Sequence, residues 1–195
     1  MTFLHKTLNL LEKIIPPRGG FWRFATTIGA AIALTGCISS TGPVLSDAKP
    51  VLGERGLIHA YTLSQGTAHD PEVVSFQWSG SRYLVRGKSI GYSEFTAHPY
   101  EGRDWIVQGT TQRAPHRIEY GLARKLAEGV YQLVAIDEND APAPAREKFC
   151  TKTQDASCRI ATPEQLFVFA RASADKPMEG GGLAVVIPGH NGAKR

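Results

Sequence analysis

Short β-type runs, each closed off by turn residues, limit this chain to few folds. From Leu57 onward it reads LIHAYTL, EVVSFQW, RYLVRG, YSEFTAH, DWIVQGT, HRIEYGLA, GVYQLVAI and, near the end, GLAVVI. The runs are rich in β-branched and aromatic residues and separated by Gly, Pro, Ser and Asp, which is the signature of strands joined by tight connections. Parallel βαβ units would need helical patterns between most of the runs, and only the gap before GLAVVI holds one. Two runs define a checkable hairpin. With Gly80 and Ser81 as a two-residue turn, Trp78 falls opposite Tyr83 and Phe76 opposite Val85, and Gly at the first central position suits a type II′ turn.

Alternation says which faces are covered. In EVVSFQW, Val74, Phe76 and Trp78 share one side, while Val73, Ser75 and Gln77 share the other, as in a half-buried strand. In GVYQLVAI, Val130, Val134 and Ile136 on one side and Tyr131, Leu133 and Ala135 on the other are both apolar. That strand is expected to be covered twice. A helix is available to cover it: Thr162, Pro163 and Gln165 place an N-cap, a Pro at the first helical position and a Gln at N3. Leu166, Phe169, Ala170 and Ser173 then follow at helical spacing, which predicts a helix over 163–174 that ends near Lys176 and Pro177. The expected fold is mainly β, an antiparallel sandwich or barrel-like meander, with one C-terminal α-helix.

Flanking segments read differently. Residues 38–55 (ISSTGPVLSDAKPVLGER) lack periodicity and read as a flexible tether, so 37–55 is assigned as tether and 56–188 as a single β-rich domain. DENDAPAPAR at 137–146 reads as an acidic turn followed by an extended, exposed Pro/Ala stretch, and 189–195 as a loose tail.

At the other end, FATTIGAAIAL from Phe24 to Leu34 is uncharged and follows Arg18 and Arg23. As a helix at ~1.5 Å per residue it reaches about half of a ~30 Å hydrocarbon core, too short to span. A basic flank, a short apolar run and small residues at its end describe a secretory signal peptide over 1–36. Its last residues, Leu34, Thr35 and Gly36 followed by Cys37, resemble the lipobox of bacterial prolipoproteins. That resemblance covers residues 24–37 and implies that the Cys37 thiol is joined to diacylglycerol, that the chain is cut before it, and that the new amino group is acylated. Several acyl chains on one residue make a stable anchor, where a single chain binds a bilayer marginally. With Ile38 rather than Asp after the cysteine, the resemblance implies the outer membrane, facing the periplasm. A plain signal peptide with a chance cysteine, or a membrane helix, is the competing reading of the same residues.

Charge follows this division. The formal net charge is +4, but Lys6, Lys13, Arg18 and Arg23 against Glu12 put +3 of it in the leader, leaving 18 Lys+Arg against 17 Asp+Glu for the rest. A nearly neutral domain without a basic run has no footprint for phosphate backbones, so nucleic acid is excluded as an expected partner. The expected partners are membrane lipid through Cys37 and an unidentified envelope protein. Cys150 and Cys158 bracket TKTQDAS in an exported, oxidising context and are expected to form a disulfide.

Catalytic patterns are missing. The chain holds no HExxH, P-loop or GxGxxG, and no GxSxG nucleophile elbow: GKSIG at 87–91 has the letters but lies between two β-type runs rather than on a strand-to-helix turn. Ser93, Glu94 and His98 lie close in sequence, but on a strand Ser93 faces away from the other two, and Glu94 and His98 are ~13 Å apart along it. Asp137, Asn139 and Asp140 look like the calcium-binding linker of cadherins without its partner motifs, and read as a solvated acidic turn. Trp78, Tyr83, Tyr92, Phe95, Tyr100 and Trp105 alternate on strands as core residues do. No catalytic residue, metal ligand or cofactor is assigned. The functional expectation is a lipid-anchored envelope protein acting as a non-catalytic interaction or accessory module. The alternative is an envelope hydrolase with a dispersed site, marked by a cleft in which His98 or His116 meets a carboxylate and a hydroxyl.

Overall fold

The computed structural model describes residues 38–64, 67–87, 92–112, 117–152, 158–175 and 181–189. Its first half runs through β1 (Ile38–Ser40), β2 (Arg55–Ser64), β3 (Thr67–Ala68), β4 (Glu72–Trp78), β5 (Tyr83–Arg86) and β6 (Tyr92–Pro99). The second half holds β7 (Asp104–Thr111), β8 (Ile118–Ala127), β9 (Val130–Ala135), α1 (Ala143–Phe149), β10 (Thr151–Lys152), β11 (Cys158–Arg159), α2 (Pro163–Ala174) and β12 (Gly182–Pro188). The protein is mainly β.

The eight runs read from the sequence are the eight staves of a closed antiparallel barrel in the order β2-β4-β5-β6-β7-β8-β9-β12, with β12 pairing back onto β2. Of the two expected architectures, the barrel is the one formed. Seven staves meander in sequence order, and β12 fills the gap between β9 and β2 after the helical excursion. Closure removes the open edges that an eight-stranded sheet would otherwise expose. The Gly80 hairpin has the expected register, Phe76 opposite Val85 and Trp78 opposite Tyr83, and Gly80 has a positive φ of 90° at the turn.

Apolar residues divide between two cores. Inside the barrel, Ile58, Val74, Phe76, Tyr83, Val85, Tyr131 and Val186 pack with Phe95, Trp105 and Leu133. Outside it, Ile106, Leu122, Val134 and Ile136 meet Leu166, Phe169 and Ala170 of α2. The β9 strand is therefore covered on both faces, as its sequence requires. The α2 helix has the expected bounds and capping box: the Thr162 hydroxyl accepts from Gln165 N, and the Gln165 side chain accepts from Thr162 N at 3.2 Å.

Two expectations need correction. The Pro/Ala stretch after the acidic turn is not extended: a 3₁₀ turn at Glu138–Asp140 leads into α1, so the described residues hold two α-helices rather than one. Asp137 Oδ1 accepts from Asn139 N at 2.8 Å and starts the turn, Pro142 is the N-cap of α1 and Pro144 sits in its first turn, where no intrahelical N–H is lost. The described part of 37–55 is likewise not a free tether. Ile38 is fully buried, β1 pairs with β8 and β11, and Val44 and Leu45 pack on the outer core. These apolar residues cover a barrel wall that would otherwise face water, so the packed unit includes the described residues before Gly56, from Ile38 on. The lipobox, Cys37, His116, His190 and the rest of the tail lie outside the described residues.

Candidate functional site

Residues 41–54 cross the outside of the barrel as a strap and then turn over its mouth. Gln108 Oε1 accepts from the N–H groups of Val44 and Leu45 at 3.2 and 3.3 Å. Lys49 N donates to Ala97 O at 3.0 Å, and Leu52 N donates to the Tyr83 hydroxyl at 2.9 Å. Pro50 O accepts from Gly53 N at 3.0 Å, a turn in which Gly53 takes a φ of 86° that a side chain would disfavour. The turn sets Val51 and Leu52 over the interior.

Beneath them is a cavity of about 70 Å³, walled by residues including Val85, Phe95, Trp105, Val107 and Leu133. Space exists because three wall positions are small: Ala97 on β6, Ala123 on β8 and Ala184 on β12. The volume is several times the ~10–15 Å³ that one water needs, yet water in such a space also needs polar partners. The lining offers few. Tyr92 donates its hydroxyl to Glu119, and burial, its largest influence, pushes its pKa far up. Burial likewise raises the pKa of the other lining phenol, Tyr131, so both stay neutral; Tyr83, outside the lining, accepts from the strap through its hydroxyl, and burial pushes its pKa up to about 12. An apolar group fits this space; an ion does not.

A second, wider cleft lies outside, between the strap and β6–β7, and contains His98, Thr96, Gln108, Glu94 and Arg82. A register shift between Tyr92 and Glu94 places Tyr92 inside the barrel and Glu94, Thr96 and His98 outside it. His98 Nε2 lies 2.8 Å from Thr96 Oγ1, and Nδ1 lies 2.6 Å from Ser46 O. Because a carbonyl can only accept, Nδ1 carries the proton and Nε2 accepts from the Thr96 hydroxyl. Gln108 Nε2 in turn donates to Thr96 Oγ1 at 3.2 Å. Burial lowers the His98 pKa from its ordinary 6.5, with smaller opposing effects from the Ser46 carbonyl and Asp47. His98 thus meets a hydroxyl but a main-chain carbonyl in place of a carboxylate. Glu94 is engaged elsewhere, with Arg82 at 2.8 Å and Thr110 at 3.4 Å, while Ser93 is exposed on the bulge.

The remaining candidates have structural partners. Cys150 and Cys158 stand at disulfide distance, with Cα atoms 5.1 Å apart. Glu138 is buried beside them, accepts from Lys152 Nζ, and with the two sulfurs forms a compact group of ligand-type atoms; sulfurs joined to each other would not be thiolate ligands for an ion. Asn139 Oδ1 accepts from Arg146 at 3.2 Å, and Asp140 Oδ2 accepts from the Ser173 hydroxyl at 2.7 Å. Those acidic-turn oxygens fasten helices. Tyr83 and Tyr92 are buried, and Trp78, Phe95 and Trp105 pack against the interior core, as their spacing predicts. Sequence reading missed the cavity, because its signal is three alanines on strands far apart in the chain.

Comparison of the chain with protein families, curated proteins and solved structures gives no match. Fold and site define the class directly: a closed, eight-stranded, antiparallel barrel with an apolar interior pocket under a strap.

Proposed function

We propose that this protein is a lipid-anchored envelope module, held through Cys37, that takes a small apolar group into the barrel interior without chemically changing it. The observation that carries the binding reading is the alanine-walled cavity beneath Val51 and Leu52. Eight staves enclose about the width that side chains fill or one small ligand occupies, and here the filling is incomplete. The outer-membrane location rests on the lipobox resemblance and on Ile38 following the cysteine. Support for an envelope partner comes from the outer wall, where Leu57 and Ile187 are register partners, Val73 lies on the next stave, and all three are exposed. The hydrolase reading has less support: His98 uses one nitrogen on a strap carbonyl and the other on a hydroxyl that is itself held by Gln108.

A small bromine-bearing alkane tests the pocket. Added to the unacylated chain from Cys37, bromoethane is expected to quench the fluorescence of Trp105 saturably. Ala123→Leu with Ala184→Leu displaces about two methylenes at ~0.8 kcal/mol each, and so weakens binding about tenfold. Quenching that does not saturate, or that ignores both substitutions, overturns the binding reading.

A further inference from the structure

Glu138 is a buried carboxylate whose two oxygens face different groups. It stands on the 3₁₀ turn after β9, is 5% exposed, and its Oε1 accepts from Lys152 Nζ. Oε2 points instead at Cys150 Sγ, 3.5 Å away. When Cys150 is joined to Cys158 that sulfur has no proton to give, and no other donor reaches Oε2 among the described residues. A buried carboxylate oxygen left without a donor is costly, and this one is aimed at a pair of sulfurs. We infer that Glu138, Cys150 and Cys158, with the two cysteines reduced, form a binding site for one thiophilic divalent cation of the Zn²⁺ type. Neither the pocket nor the anchor reading is needed for it.

The geometry fits such an ion. The ligand-type atoms of the three residues lie within 4.8 Å of one another. Around Zn²⁺, with sulfur at ~2.3 Å and oxygen at ~2.0 Å, an oxygen and a sulfur of one tetrahedron stand about 3.5 Å apart. Glu138 Oε2 and Cys150 Sγ already have that spacing, so only the two sulfurs must separate. Two thiolates and one carboxylate carry three negative charges against the one positive charge of Lys152, and a divalent cation cancels the difference. Lys152 keeps Oε1 and orients the carboxylate from behind, as outer partners of metal ligands do. Cys158 is fully buried on β11, whereas Cys150, at the end of α1, is half-buried and leaves a side from which water completes the fourth position. The ligands fall 12 and 8 residues apart, outside the short spacings of familiar zinc motifs, so the sequence carries no signal for them. Residues 153–157, Asp155 included, lie outside the described residues and form no part of the site. Opening the bridge takes two electrons and two protons from two thiols of a reductant, which leave as a disulfide. The cation then displaces both cysteine protons to water.

The test uses the full chain with Cys37→Ser, held in detergent, which leaves Cys150 and Cys158 as its two cysteines. After reduction by a phosphine and removal of the phosphine, the chain is titrated with Co²⁺, whose visible bands report four-coordinate thiolate ligation. Bands that saturate at about one equivalent and vanish on adding Zn²⁺ are expected from the reduced chain, and none from the oxidised one. Absence of these bands from the reduced chain overturns the site. Bands of unchanged strength in denaturing urea also overturn it, because two cysteines on an unfolded chain would then suffice. Glu138→Gln is expected to shift the bands and weaken Co²⁺ binding at least about tenfold, while Glu147→Gln, at an exposed neighbouring acid, changes it less than about twofold. Identical bands and affinity in Glu138→Gln overturn the carboxylate as a ligand, and so does an equal loss in Glu147→Gln, which would mark diffuse charge instead.

Discussion

His98 is 4% exposed and works as a rivet, because its neutral ring connects the strap carbonyl of Ser46 to the hydroxyl of Thr96. Protonation would make Nε2 a donor facing a hydroxyl that already receives Gln108, and burial holds the pKa below 6.5. The sign of the linkage follows. Above the unfolded value of about 6.5 both states are neutral and the contact contributes in full. As pH falls through that value the unfolded chain takes up a proton that the native one refuses. Stability then drops, by at most about 1.4 kcal/mol per pH unit for this one group, and levels off below the native pKa. Urea unfolding at several pH values between 5 and 7.5 should therefore show a steeper loss for the natural protein than for His98→Asn. Parallel curves for the two would refute the assignment. The isolated histidine at position 98 gave no hint of this, since the Ser46 carbonyl that fixes its ring comes from the strap, 52 positions away, and only Thr96 is on its own strand.

Helix α2 was legible because its start, stripe and length are all written locally. What it covers was not. Phe169 is fully buried against the outer wall formed by Ile106, Leu122 and Val134. Two polar ties hold the helix end: Ser173 Oγ donates to Asp140 and accepts from Asp137 N at 3.1 Å, and Arg124 Nη2 donates to Ala174 O at 3.0 Å while pairing with Asp104. Phe169→Ala should cost about 3–5 kcal/mol, read as a lowered urea midpoint with the slope unchanged. A loss below about 1 kcal/mol would mean that the helix is not docked as described. Helix α1 escaped sequence reading for the opposite reason. Two prolines in APAPAR look like an extended segment, yet prolines in a first helical turn cost nothing, and the turn at Asp137 decides between the two.

For the molecule as a whole, closure is the stabilising event. The β12 strand pairs with β2 over seven positions and with β9 over four, so one strand near the end of the chain completes both seams. Ending the chain after residue 180 opens two edges and uncovers the interior at Ala184 and Val186. The truncated protein should lose its cooperative thermal transition and bind ANS, as species without fixed packing do. A sharp transition would show that seven staves suffice. Because β2 and β12 meet only after the whole chain has been threaded, the intact protein is expected to fold on the slow, millisecond-to-second side.

Local chemistry determined the staves, the register of the Gly80 hairpin and the capped helix α2, because alternation, turn residues and caps act over a few positions. It also placed Tyr83, Tyr92 and their aromatic neighbours in the core. Tertiary structure decided the rest. It chose a barrel over a sandwich by sealing β12 to both β2 and β9. It turned a Ser- and Pro-rich tether into a packed strap, and it left a cavity where Ala97, Ala123 and Ala184 converge. The physical reason is the same in each case: whether an apolar residue is covered, and whether the space before it is filled, depends on residues far away in the chain.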